Sequence, residues 1–419
     1  MEEIQEQESV MRSIKLEKAV EDFINHLESL ADTYPLLTTT LRGTSLSATK
    51  QFNDFLMQEC VLVDEDESSY RVPFEKQHKR ERLKRKIGKT KLAEGIVPRS
   101  FIVSLVSEFD SYLGQLIKVI FYLRPELLNA SEKNISFPKL LELGSIEEGR
   151  EFIIEKEIET VLRDSHIQMF RWLENKLDVK LTTDLKSWEK FIELTERRNL
   201  FVHNNGVVNR QYLSVCKSNN VGIDQTVNIG DVLEITNSYF ENAYRCVFEI
   251  GIKLSQVIWR KFIKDEIEEA DSNIMGIVFD QILRKDYSLA IELAEFSTHK
   301  VIKHFNKDYE LTCIINKAQA YKWNKNNDKC IEIVTSIDWS ACSDKFKLVS
   351  SVLLDNFQEA VNVMRKLGKD DEEITKIHYR EWPIFQEFIL SPIFLDTYKE
   401  IFGLDFISWE QEDKLAVKS

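Results

Sequence analysis

The chain has 419 residues, enough for about two to three domains, each with its own core. It is 43% hydrophobic and 30% charged with only 13 Gly and 7 Pro, a composition rich in helix formers that predicts an all-α fold. The net charge of −14 argues against an evenly cationic nucleic-acid binder, and the lack of any apolar run near 18 residues (about one membrane span) argues against insertion in a bilayer.

The acidic start Met1-Glu2-Glu3-Ile4 is unlike a signal peptide, so the protein is expected in the cytoplasm. An amphipathic helix is predicted near Met11 to Asp32, a Thr/Ser-rich break over Thr38 to Ser47, and a further helical stretch to Gln58. Cys60-Val61-Leu62-Val63 reads equally as a short strand or an apolar turn, and Asp64-Glu65-Asp66-Glu67 follows as an acidic break. Lys76 to Lys91 is the one strongly basic run. As a class such runs are solvated helix or linker; if this one contacts RNA, Lys79, Arg80, Arg82, Lys84, Arg85 and Lys86 are the residues to do so. Residues 1–97 are taken as a helical, basic extension.

Pro98 is expected to open a helix at its favoured first-turn position. Phe101, Ile102, Leu105, Val106, Phe109, Leu113, Leu116, Ile117, Ile120 and Phe121 recur at helical spacing, so this helix should be buried, with Glu108 and Asp110 as its polar exceptions. A looser region with Pro125 and Pro138 leads to a predicted helix from Ile146 to Leu177 carrying Arg163, Asp164, His166 and Gln168. Ser187 to His203 follows as a helix ended by Asn204-Asn205-Gly206, which is C-cap chemistry. After a polar loop, the last helix of this block is predicted over Gly230 to Lys264, giving a helical bundle over 98–265.

In the Ser187–His203 helix, a step of roughly 100° per residue puts Leu194, Phe191, Val202, Thr195, Trp188, Ile192 and Phe201 on one arc. Lys190, Glu193, Glu196, Leu200 and Arg197 take the other arc, where Arg197 is expected to be an ordinary solvated charge. Arg198 projects from the apolar arc, and a charge there is either paired, by Glu108 or Asp110, or used.

From Ala270 the texture changes to short helix pairs. Ala290, Cys330 and Ala360 align in segments of similar pattern, at steps of 40 and 30 that straddle the period of about 34 of tetratricopeptide repeats. A tetratricopeptide-like α-solenoid is expected over 266–419, against an unrelated helical domain as the alternative. This segment holds 28 acidic against 19 basic residues, and its concave face would suit a protein partner. The six cysteines lack any Cys-x-x-Cys spacing, so reduced thiols are expected, with neither metal site nor disulfide framework, and no cofactor is called for.

Arg198-Asn199-Leu200-Phe201-Val202-His203 has the form Arg-polar-x-x-x-His at the end of a bundle helix. Here the sequence resembles the HEPN superfamily of prokaryotic ribonucleases, over roughly Pro98 to Lys264. Asn205 stands where some HEPN toxins carry a tyrosine. The resemblance implies a metal-independent endoribonuclease, a toxin or anti-phage effector, with Arg198, Asn199 and His203 as catalytic residues. It also implies a homodimer through the bundle, because Arg198 and His203 lie roughly 140° apart on one helix; the solenoid would take an antitoxin or other protein partner. The alternative is a catalytically inert HEPN bundle joined to a helical-repeat region, acting as an interaction or regulatory protein.

Overall fold

The computed structural model describes residues 2–64, 69–130, 133–183, 185–223 and 226–407. It is 75% helical with almost no strand, so the chain is all-α. Two compact units divide it at 258/259.

The first unit is built on two long helices packed side by side, α1 (Glu2–Glu59) and α2 (Gln77–Leu123). The break expected at Thr38–Ser47 does not occur, and α1 also runs through Pro35. Thr38, Thr40 and Thr44 donate their hydroxyls to the carbonyls of Tyr34, Leu36 and Thr40 at 2.9–3.0 Å, satisfying within the helix the side chains that otherwise favour turns. Packing against α2 outweighs local propensity. Between the helices, β1 (Val61–Asp64) and β2 (Ser69–Arg71) form an antiparallel hairpin, so Cys60–Val63 leads into a strand. Glu65, Asp66 and Glu67 of the acidic break lie outside the described residues.

Pro98 is not a helix start: it lies buried inside α2, where it removes one backbone hydrogen bond from a helix held by its long apolar stripe. The boundary expected at 97/98 therefore falls within a helix. After α3 (Phe137–Leu143) and α4 (Ile146–Leu162), the single helix expected over 146–177 breaks at Arg163–Ser165. There the Ser165 hydroxyl accepts from the Gln168 N–H and caps α5 (His166–Leu177). α6 (Trp188–His203) follows as expected, and α7 (Arg210–Ser218) replaces part of the expected loop, capped by the Asn209 side chain accepting from Tyr212 N–H at 2.9 Å. α8 (Asn237–Phe262) is the last helix to begin in the unit, and its final turn, from Trp259, falls in the second.

Aromatic rings join these helices. Phe23 of α1 stacks on Tyr112 of α2 at 4.0 Å, and Tyr34 stacks on Phe240 of α8 at 3.9 Å. Gly251 permits this approach, since a Cβ there would lie 2.4 Å from the Phe23 ring.

The second unit contains three helical hairpins: α9 (Ile267–Leu283) with α10 (Tyr287–Ser297), α11 (Lys307–Trp323) with α12 (Asn327–Thr335), and α13 (Asp344–Leu353) with α14 (Phe357–Leu367). α15 (Lys376–Glu381) and α16 (Pro392–Phe402) follow. Each hairpin turn has the same build: a residue in the left-handed region (Lys285, Lys325, Asp355) and then a side-chain N-cap (Asp286, Asn326, Asn356). Ala290, Cys330 and Ala360 each stand five residues past the left-handed residue, and all three are buried. The steps differ because α11 has 17 residues and α13 only 10. First helices pack in succession, α9 on α11 and α11 on α13.

Candidate functional site

α6 positions the motif. It is covered on two faces: Phe191, Ile192, Leu194 and Thr195 are buried, and so are Leu200 and Phe201. Leu200 was expected on the solvated arc, and Val202, expected on the apolar arc, is 48% exposed. The second arc is covered because α7 and the start of α8 pack against it.

Arg197 is the clearest case. Instead of being solvated, its Nε donates to Glu193 Oε1 at 2.6 Å, with both side chains about 85% buried, and its guanidinium lies 4.0 Å from the Tyr239 ring centroid. The hydroxyls of Tyr212 and Tyr239 donate to the same Glu193 carboxylate at 2.6 and 2.8 Å. Burial, then the negative Glu193, pushes both tyrosines up, and burial raises the neighbouring Cys216 thiol to about 12. This network ties α7 and α8 to α6.

Arg198 is also paired, with Asp110. Its Nη2 donates to Asp110 Oδ2 at 2.5 Å and its Nη1 to Asn199 Oδ1 at 3.2 Å, while its Nε is buried without a partner. The other Asp110 oxygen is 2.7 Å from His166 Nε2. His166, the first residue of α5, is buried beside the Phe109 and Phe191 rings. Arg198 and Asp110 keep 20% and 26% of their side-chain surface exposed, against 16% and 14% for Arg197 and Glu193, so the Arg198 pair is the slightly more open of two mostly buried pairs. Burial pushes the nearby Glu196 carboxyl up, against the pull of His166 and Arg198. Glu108, the other carboxylate expected within reach of Arg198, faces His26 of α1 instead, at 2.8 Å.

His203 is exposed in the last turn of α6, and no bond joins it to Arg198 or Asn199 among the described residues. The turn after it is firmly built: Asn204 and Gly206 N–H both donate to Leu200 O, and Asn205 and Gly206 have positive φ. Arg99 of α2 donates to Asn205 O at 2.7 Å. A Cβ on Gly206 would meet the Phe201 ring at 3.1 Å and Arg99 Cζ at 3.3 Å.

The basic run forms the first turns of α2 rather than a linker. Lys79 pairs with Glu59 at 2.5 Å, Lys86 bonds Gln51 at 2.9 Å, and Arg80 is near Gln77 and Glu81. Arg82, Lys84 and Arg85 are exposed. From Arg85 to Asp110 the helix advances roughly 37 Å, so the run is not part of the Arg198 cluster.

In the second unit a cavity of about 480 Å³ lies along α9, α11 and α13, with Met275, Phe279, Ile315, Phe346 and Trp382 among its walls. Among the described residues no group of three or more His, Cys, Asp or Glu is placed to hold a metal ion, and no helix is long and apolar enough to cross a membrane.

Of the residues read from sequence, Arg198 and Asn199 come together, while His203 stands apart on the same helix. His166 carried no signal linking it to them, since the contact joins positions 56 and 88 apart through Asp110. Comparison with protein-family models, curated proteins and solved structures finds no match to this chain.

Proposed function

We propose that the protein is a metal-independent endoribonuclease of the HEPN type, acting as a toxin or anti-phage effector. The observation that carries this is the last two turns of α6: Val202 and His203 are exposed there and Arg198 and Asn199 partly so, while the core takes Leu194, Leu200 and Phe201. Arginine supplies a fixed planar charge for the phosphorane, and histidine a proton donor or acceptor near neutrality. Their separation on one helix supports a homodimer in which two copies of the edge share a cleft, cutting by 2′-OH attack. The second unit would be a tetratricopeptide-like solenoid whose cavity takes a partner or antitoxin, a reading supported by the repeated hairpin turn.

The test is incubation of cellular RNA with purified protein in EDTA. Fragments with 2′,3′-cyclic phosphate and 5′-hydroxyl ends, absent with Arg198→Ala and with His203→Ala, are expected. Cleavage that survives both substitutions overturns the reading.

The second reading, an inert HEPN-like bundle in an interaction protein, is favoured by the Asp110–Arg198 ion pair, which satisfies the arginine within one chain. Growth arrest on expression that disappears with His203→Ala supports the nuclease; indifference to that change supports the interaction protein.

A further inference from the structure

The Asp110 carboxylate has two suitors. Arg198 takes Oδ2 and His166 takes Oδ1, at 2.5 and 2.7 Å, so the guanidinium and the imidazole share one negative charge. The charged groups facing the His166 ring are Asp110 from α2 and Glu196 and Arg198 from α6; the Phe109 and Phe191 rings lie beside it. With His166 neutral, Asp110 cancels Arg198. With His166 protonated, the same carboxylate serves two cations and the cluster carries one more positive charge. Because the His166 ring is buried and the Arg198 and Asp110 side chains are only partly exposed, such a step matters more than it would on an open surface.

We propose that His166 sets the charge of this site: it shares the Asp110 carboxylate with Arg198, and its protonation decides how much positive charge the cluster presents to an RNA phosphodiester. The inference rests on the ribonuclease reading and adds to it a second histidine, on a different helix, that need not touch the substrate. By reciprocity, RNA that prefers the protonated form must be bound more tightly the more of the ring is protonated.

The experiment measures binding rather than cleavage. Full-length His203→Ala protein is titrated in EDTA against a fluorescein-labelled single-stranded RNA of about 12 nucleotides, from about pH 8 to about pH 6. Affinity is expected to rise on acidification, and adding His166→Gln should remove about fivefold of that rise, the effect of one partly shielded charge. Glutamine can still donate to Asp110 but cannot charge.

Asp110→Asn guards against misfolding as an explanation. It removes the negative charge, so binding at pH 8 should become tighter by about two- to fivefold, a gain that an unfolded protein cannot give. A pH dependence unchanged by His166→Gln, or weaker binding in Asp110→Asn, overturns the proposal while leaving the ribonuclease reading intact. Absence of RNA binding at every pH overturns both.

Discussion

Arg197 and Arg198 are neighbours in the chain, both are ion-paired, and α6 turns them toward opposite fates. Arg197 lies under Tyr239 with Glu193 and two tyrosine hydroxyls, a closed network in which each polar group answers another. Arg198 lies at an accessible edge with an unpartnered Nε, an asparagine on one prong and a carboxylate shared with a histidine on the other. An ion pair by itself therefore distinguishes nothing. The two arginines differ in whether their counter-ion has a competing cation: Glu193 is held by tyrosine hydroxyls besides Arg197, and Asp110 by an imidazole besides Arg198.

Glu193 is the residue on which the Arg197 network depends most. Glu193→Ala would leave Arg197 buried and uncompensated, at a cost of about 3–5 kcal/mol, visible as a large drop in thermal midpoint. A shift no larger than that of a surface change would show that the network is not closed. Arg260 in the second unit extends the comparison, since it shares fully buried Asp271 with His304 and the Phe305 N–H at 2.6–2.9 Å.

Burial raises the Asp271 carboxyl, but these hydrogen bonds outweigh it and its pKa is lowered. Its stabilisation is thus present above the ordinary carboxylate range near about pH 4 and lost as pH falls through the lower folded value. Asp271→Asn should cost about 2–4 kcal/mol at neutral pH, and calorimetry should find that deficit shrinking below about pH 4. A deficit independent of pH would contradict the assignment.

Smaller effects sharpen the Arg198 side. Gly206→Ala forces a Cβ at positive φ against Phe201 and Arg99, so about 1–3 kcal/mol of stability should be lost and the His203 turn displaced, measurable as slower RNA cleavage. Arg198→Ala should cost least, about 1 kcal/mol in urea unfolding, because Asp110 keeps His166 as a hydrogen-bond partner once the arginine is gone. A loss as large as that of Glu193→Ala would place Arg198 with the structural arginines.

Periodicity made the buried stripe of α2 and the core face of α6 legible, and Asn204-Asn205-Gly206 marked the helix end. The register of Ala290, Cys330 and Ala360 was legible too, because one turn type precedes each. The second face of α6 was not. Its cover comes from α7 and Tyr239, and a single helix pattern carries no information about what packs on its polar arc. Turn residues misled in α1 and at Pro98, where tertiary packing overrode local preference. The Asp110–His166 contact is non-local and left no trace in spacing.

The most direct test sets the two arginines against each other: initial rates of RNA cleavage in EDTA for Arg198→Ala and for Arg197→Lys, each compared with the unaltered protein. A site role for Arg198 predicts a loss of about 100-fold or more in the first, and a rate within about threefold for the second while it remains folded. Cleavage by Arg198→Ala at the unaltered rate would contradict the account.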